Sequence, residues 1–164
     1  MNRAFAIIFL TCVTLLLLLA SPTSARPVKL WSFQELTEQA ELVIIASPSA
    51  VRDTGQKTTL AAYPVISVET TFEVLAVLKG KKDTQRIALH HFRRDRGPEQ
   101  ASGMPRAEIN PPGLVSFAPK EKRRYLLFLK REEDGRHSAL TGQTDPVNAV
   151  HELCGASVTK ESLK

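Results

Sequence analysis

Disulfide bonds are the support this chain has least of. It holds two cysteines in 164 residues, Cys12 and Cys154, so the covalent framework of a small cross-linked scaffold is excluded and a packed core has to hold the fold. Aromatic side chains make up 6% of the residues, with one tryptophan. That is too few for the stacking platforms on which single-stranded nucleic acid binds, and nucleic acid is set aside as a partner. No Gly-x-Ser-x-Gly, His-Glu-x-x-His, P-loop or dinucleotide fingerprint occurs, which removes the enzyme classes those motifs mark. Repeats and low-complexity tracts are missing too. Beyond Ala4 to Ala20, no apolar run approaches the roughly 20 residues that span a bilayer.

That one run has a specific layout. Arg3 precedes it, and Ser21-Pro22-Thr23-Ser24-Ala25 follows. A basic start, a greasy middle and small residues at the end predict a secretory signal, residues 1–25, cut after Ala25. The run is shorter than a membrane anchor needs. The expected product is secreted or periplasmic, with no stable membrane span after cleavage. It starts at Arg26 and holds 139 residues, enough for one domain, 26–155, with its own core, and a frayed tail, 156–164. Cys12 leaves with the signal. Cys154 then has no internal partner, and is either buried or free for an intermolecular bond.

Charge is unevenly distributed. The whole chain carries +5. Residues 32–73 sum to −4, whereas 79–96 and 119–131 each sum to +5. Should the two basic segments share a face, they form an electropositive patch suited to an anionic polymer or an acidic protein surface. Solvated lysines guarding strand ends are the plainer reading.

Local patterns predict the elements. Ser32 and Glu35 have capping-box spacing, with Trp31 and Leu36 placed to staple the turn, so a helix spans about 33–41 with Phe33, Leu36, Thr37 and Ala40 on one face. Leu42 to Ala46 is a short apolar run, read as a strand buried on both faces, which Pro48 either ends or marks as an edge. Arg52 to Lys57 is read as a polar turn around Gly55. Val65 to Lys79 is a long strand with Phe72, Val74, Ala76 and Leu78 on one face and Glu73, Leu75 and Val77 on the other. Gly80 stops it, and Arg86 to Phe92 returns as a hairpin with Ile87 and Leu89 inward. Glycines and prolines leave 93–113 as a long irregular loop, a candidate functional or disordered segment. Leu114 to Phe117 is a short strand, Pro119 to Arg123 a basic turn, and Tyr125 to Leu129 a central strand. Asp134-Gly135 is a hairpin turn before the returning strand 136–141. Asp145-Pro146 opens a short helix over about 146–154, where alternation also allows a strand. The fold class is mainly β: five or six strands, mostly antiparallel, with two short helices, in a closed or half-closed barrel.

The capped helix leading into "ELVIIAS", then "TTFEVLAVLKG", then "RRYLLFLKREEDGR" resembles bacterial secreted proteins of unknown function in the TIMP-like or netrin-module-like (NTR) OB-fold group. The likeness covers roughly residues 33–136. It implies an OB-like antiparallel barrel and an extracytoplasmic interaction module. Metalloproteinase inhibition in that group uses an N-terminal cysteine that clasps zinc. Here the mature start is Arg26-Pro27-Val28, so the clasp is not carried over to any residue.

Candidate chemistry is sparse. His90 and His91 are neighbours on a strand and point to opposite faces, so they cannot share a metal easily. A metal-assisted hydrolase would need His137 to approach one of them, with an open coordination position. His151 and Cys154 share a face if 146–154 is helical. The carboxylates at 132–134 sit in a tight turn and are read as solvated. The expected function is a non-enzymatic exported module, without cofactor or metal, that binds a protein or anionic surface polymer. Its candidate contacts are Lys81, Lys82, Arg93, Arg94, Arg96, Lys122 and Arg123, together with loop 93–113. The alternatives are a hydrolase using His90 or His91 with His137, and a proteinase inhibitor acting through loop 93–113.

Overall fold

The computed structural model describes residues 29–96 and 110–153. The signal 1–25, most of the 93–113 loop, Cys154 and the tail 156–164 lie outside the described residues. Among those described, no helix is long and apolar enough to cross a membrane.

Helix α1, Phe33–Gln39, starts as its sequence dictates. The Glu35 amide donates to Ser32 Oγ at 3.1 Å, and the Ser32 amide donates to the Glu35 carboxylate at 2.9 Å. Those bonds hold the Glu35 carboxyl below its ordinary range. The helix stops short of residue 41 because Ala40 turns extended and the Glu41 amide donates to the Leu129 carbonyl at 2.9 Å, joining the sheet. Leu36 and Ala40 are buried, whereas Phe33, expected on the same face, is 60% exposed. Phe33 lies at the rim instead, its ring 5.9 Å from that of Phe128.

Six strands follow: β1 Leu42–Leu60, β2 Tyr63–Lys79, β3 Arg86–Arg94, β4 Arg124–Arg131, β5 His137–Ala139 and β6 Val150–Leu153. The fold is mainly β. The strands make one sheet in the order β1-β2-β3-β5-β4-β6, and β1 also pairs with β4, so the first five close into a ring. All pairings are antiparallel except one. β3 and β5 run parallel and meet at a single bridge, Leu89 with His137. The central placement of β4 matches its apolar sequence: one edge holds β1, and the other holds β6 along its first half and β5 along its second.

The ring encloses Leu42, Ile44, Phe72, Leu89, Leu127 and Leu129, with Tyr125 and Val150 at its margin. A second cluster, Leu36, Ala40, Val43, Phe128, Ala139 and Ala149, lies under α1 on the outer face. Alternation along β1 and β4 sends successive side chains to these two clusters, which is why both strands read as continuous apolar runs.

β1 is far longer than its sequence implies. Of the two readings of Pro48 the edge holds and the end does not, and Arg52 to Lys57 is not a turn; the strand continues to Leu60 against β2. Beyond Ala46 it has no pairing to β4, so the missing amide of Pro48 is tolerated at an edge with a register shift. Gly55, at φ +77°, serves a bulge: between the pairs Asp53–Val68 and Lys57–Ile66, residues 54–56 stand opposite Ser67 alone. The reversal is made by Ala61 and Ala62, at φ +48° and +68°, between the paired Leu60 and Tyr63.

Bulges also revise the faces of β2. Ile44 pairs with Val77 and Val43 with Lys79, so Leu78 is an extra residue; Ile45 pairs with Ala76 and Ala46 with Val74, so Leu75 is another. Both are thrown outward, 54% and 55% exposed, while Val74 and Val77 pack on the core. Leu114 to Phe117 is not a strand, although Val115 and Phe117 still pack against the core. The predicted helix 146–154 is a single 3-10 turn, Pro146–Ala149, running into β6. Among the described residues there is therefore one α-helix, not two, and a second 3-10 turn at Pro119–Glu121. The β2–β3 hairpin and the Asp134-Gly135 turn form as expected, with Gly135 at φ +87°.

Candidate functional site

The two histidines of β3 have opposite surroundings, as strand alternation requires. His91 faces the core and is 3% exposed. Its Nε2 lies 2.8 Å from Thr70 Oγ1, and its Nδ1 has no hydrogen-bond partner among the described residues. Burial pushes its pKa down to about 4, with the neighbouring His90 adding to the effect. It is a neutral core histidine set edge-on to the Phe117 ring at 5.1 Å.

His90 faces outward, where three segments converge on it. The β2–β3 register sets Glu69 opposite His90 and Ser67 one outward-facing pair along. Ser67 Oγ lies 3.0 Å from His90 Nε2. On the other side of the ring, His90 Nδ1 is 2.9 Å from the Glu132 carboxylate, which stands at the end of β4. Gln143, from the loop after β5, donates its Nε2 to the His90 carbonyl at 3.0 Å and to Glu132 Oε1 at 3.4 Å. Arg136 engages Asp134 at 2.6 Å and approaches Glu132 at 3.9 Å. Ser67, His90 and Glu132 thus have the contacts of a serine–histidine–acid relay. Accessibility decides what the relay can do. Ser67 is 2% exposed, and the inserted bulge lies alongside it, with Thr54 Oγ1 donating to the Ser67 carbonyl at 3.1 Å. A nucleophile needs an open approach for its substrate.

His137 does come beside β3, as a histidine-based metal centre would require, but both ring nitrogens of His90 are already engaged by Ser67 and Glu132. Burial lowers the His137 pKa, with Arg131 acting in the same sense. Among the described residues no three His, Cys, Asp or Glu side chains gather as a metal-binding group. His151 sits on strand β6, not on a helix, with its ring 5.0 Å from that of Phe33.

The predicted basic contacts fall in three separate places. Lys81 and Lys82 occupy the β2–β3 turn, whereas Arg93, Arg94 and Arg96 stand at the far end of β3, about 26 Å away at the usual strand rise. Lys122 and Arg123 precede β4, where the Arg123 carbonyl accepts from Ser47 Oγ at 2.8 Å. Most of these charges have partners. Arg93 is bidentate to Asp53 at 2.8 and 2.6 Å. Arg94 lies over the Tyr63 ring at 4.1 Å. Arg123 bridges Glu121 at 2.5 Å and Glu152 at 2.8 Å. Lys81 pairs with Asp83 at 3.4 Å, and Lys82 Nζ donates to the Val77 carbonyl at 3.1 Å. Lys122 and Arg96 are exposed.

Two open depressions accompany these features. One, of about 440 Å³, runs between residues 114–118 and β6, with Arg123, Glu121, Glu152 and Tyr125 on its walls. The other, of about 500 Å³, lies under the β4–β5 turn and is lined by Lys130, Arg131, Glu132, Glu133, Asp134, Ser138, Gly142 and Gln143.

Sequence reasoning singled out His90 but not its companions. Ser67 was accessible from hairpin register alone. The tight turn at 132–134 predicts a solvated Glu132, and nothing local marks Gln143. No protein-family model matches this chain, and no curated protein matches it.

Proposed function

We propose that this chain is an exported interaction module on an OB-like barrel, and that it binds a protein partner without catalysing a reaction. The strand order β1-β2-β3-β5-β4, closing on β1 with β3 and β5 parallel, supports the barrel reading, since a five-stranded Greek-key barrel needs that kind of crossover. The signal layout at residues 1–25 supports export. The NTR-like resemblance remains part of the proposal.

The observation that carries the non-enzymatic reading is the burial of Ser67. The Ser67–His90–Glu132 array ties β2, β3 and the end of β4 together across the ring's weakest junction, so it serves as a brace. A protein partner is favoured over an anionic polymer because the basic side chains are dispersed, and Lys81, Arg93 and Arg123 are paired with the chain's own acids.

The test uses the full chain produced in an exporting host. The expected results are a mature protein that starts at Arg26 and one discrete protein adduct on cross-linking in the extracytoplasmic fraction. Salt-sensitive retention on an anionic polymer, lost on reversing Arg94 and Arg96 to Glu and unaccompanied by any protein adduct, would replace the protein partner with the polymer. Ser67-dependent ester hydrolysis would overturn the non-enzymatic reading.

A further inference from the structure

The depression between residues 114–118 and β6 is a slot tied at both ends. At one end the Gly113 amide donates to the Thr144 carbonyl at 2.8 Å, and the Val147 amide donates to the Gly113 carbonyl at 3.4 Å. At the other, Arg123 holds the Glu152 carboxylate at 2.8 Å. Between these ties no ladder joins the two sides: β6 pairs with β4 alone, and residues 114–118 belong to no strand. The space left open is about 440 Å³, within the range of pockets that take a small group.

Tyr125 lines this slot. It is 6% exposed, with its ring edge-on to Phe117 at 5.1 Å and to Phe72 at 6.3 Å. Its hydroxyl has no hydrogen-bond partner among the described residues, yet unlike Ser138 Oγ or His91 Nδ1 it is not sealed off from solvent. The surface it keeps opens into the slot that the residue lines. Burial and the Glu152 carboxylate raise the Tyr125 pKa, so the hydroxyl stays a donor. The charges at the slot are spent on one another: Arg123 engages both Glu121 and Glu152, and neither an anion nor a cation finds an unengaged counter-charge there. Val115, Phe117, Val147 and Val150 supply apolar lining, and Val147 is 48% exposed. An unanswered donor beside apolar surface calls for a neutral group with an acceptor oxygen and an apolar body.

We infer that this slot receives an uncharged apolar residue of the protein partner, its side chain against Val147 and Phe117 and its main-chain carbonyl accepting from the Tyr125 hydroxyl. The inference rests on the protein-binding reading above and names the contact. A main chain is the fitting source because both walls are themselves backbone short of partners. β6 is an edge strand, and the amides of residues 114–118 donate to no backbone carbonyl. A peptide brings a carbonyl at every residue to answer them. A water would satisfy the hydroxyl but would leave Val147 uncovered.

The test is titration of the full mature chain with N-acetyl-leucine methylamide, followed by amide chemical shifts. N-acetyl-glycine methylamide has the same carbonyls without the apolar side chain, and the lysine and glutamate analogues add a charge of either sign. Saturable shifts at Val115, Phe117 and Val150 with the leucine probe, and weaker or no shifts with the other three, are the expected result. Tyr125→Phe keeps the ring and removes the donor, and is expected to weaken binding about threefold to tenfold, as loss of one hydrogen bond does. Val147→Asp, at a half-exposed position, should abolish the response while amide shifts away from the slot stay as in the parent. An equal response to the glycine probe, a stronger one to either charged probe, no response at all, or parent-like binding by Tyr125→Phe would each overturn the inference. A protein adduct that forms equally well with Tyr125→Phe and Val147→Asp would also overturn it, while leaving the protein-binding reading intact.

Discussion

His90 and Glu132, 42 positions apart in the chain, meet at 2.9 Å across the one junction of the ring that has a single backbone bridge. Elsewhere the ring is closed by ladders: nine residue pairs join β2 to β3 and five join β1 to β4. Between β3 and β5, side chains supply what the backbone does not. His90, Glu132 and Gln143 form the contact, and Ser67 fixes the imidazole from the other side.

Glu132→Ala should loosen that junction selectively. It removes the acceptor facing His90 Nδ1 and one acceptor for Gln143, leaving mostly buried donors half-satisfied, at a cost of about 1–3 kcal/mol. Urea unfolding measures the loss. Hydrogen exchange locates it: the β5 amides should exchange faster while the β1–β2 hairpin keeps its protection. A uniform loss of protection over all strands would refute a local role for the pair.

Ser67 should be chemically silent. Reactive serines are labelled by fluorophosphonate probes when the hydroxyl is both activated and reachable. Here the histidine contact is present, but the side chain is enclosed. No adduct is expected on the folded chain by intact-mass measurement. Ser67→Ala should leave the surface chemistry unchanged and affect stability alone. A stoichiometric adduct at Ser67 would show that the bulge at 54–56 opens, and would return the relay to catalysis.

Acid should destabilise the fold through His91. The folded-state pKa is about 4, against about 6.5 in an unfolded chain. Between these values the unfolded chain binds a proton that the folded chain refuses, so stability rises with pH across that window and is lost as pH falls through it. Above pH 6.5 both states are neutral there and the dependence vanishes. The full span corresponds to about 3 kcal/mol. The other charges facing His91 are Asp53 and His90. Urea midpoints from about pH 4 to about pH 7 should show the slope in the parent and a flatter profile in His91→Gln. Equal slopes in the two proteins would remove His91 as the cause.

The readable parts of this fold were those fixed by near neighbours. The Ser32–Glu35 capping box, the β2–β3 hairpin and the central β4 each carry their instructions within a few residues. β1 beyond Pro48 does not. Its continuation depends on a partner strand, and Gly55 sends the same signal whether its positive φ serves a turn or a bulge. Strict alternation puts Leu75 and Leu78 on opposite faces, and two bulges cancel it. At the site, Ser67 follows from hairpin register, whereas Glu132 and Gln143 reach His90 only through ring closure, which no local pattern encodes. The basic residues looked like two dense segments in sequence, yet strand geometry spaces them along the molecule and acids from distant segments pair with them.

The Ala61-Ala62 turn offers the clearest test of local strain. A two-residue hairpin with positive φ at both positions has the handedness that matches strand twist, and asparagine followed by glycine adopts it most readily. Alanine in this region carries a steric cost of roughly 1 kcal/mol or more per residue, because Cβ crowds the following carbonyl. Here two alanines in succession hold φ +48° and +68°. The double substitution Ala61→Asn with Ala62→Gly relieves that crowding, while glycine gives back part of the gain by widening the unfolded ensemble. The net expectation is about 1 kcal/mol of added stability, a rise of a few degrees in Tm. Ala62→Val should act in the opposite sense, since a β-branched side chain is poorest at positive φ. If the asparagine-glycine variant melts lower than the parent and the valine variant does not, the reversal is not made by these two residues, and the long β1–β2 arm must turn elsewhere.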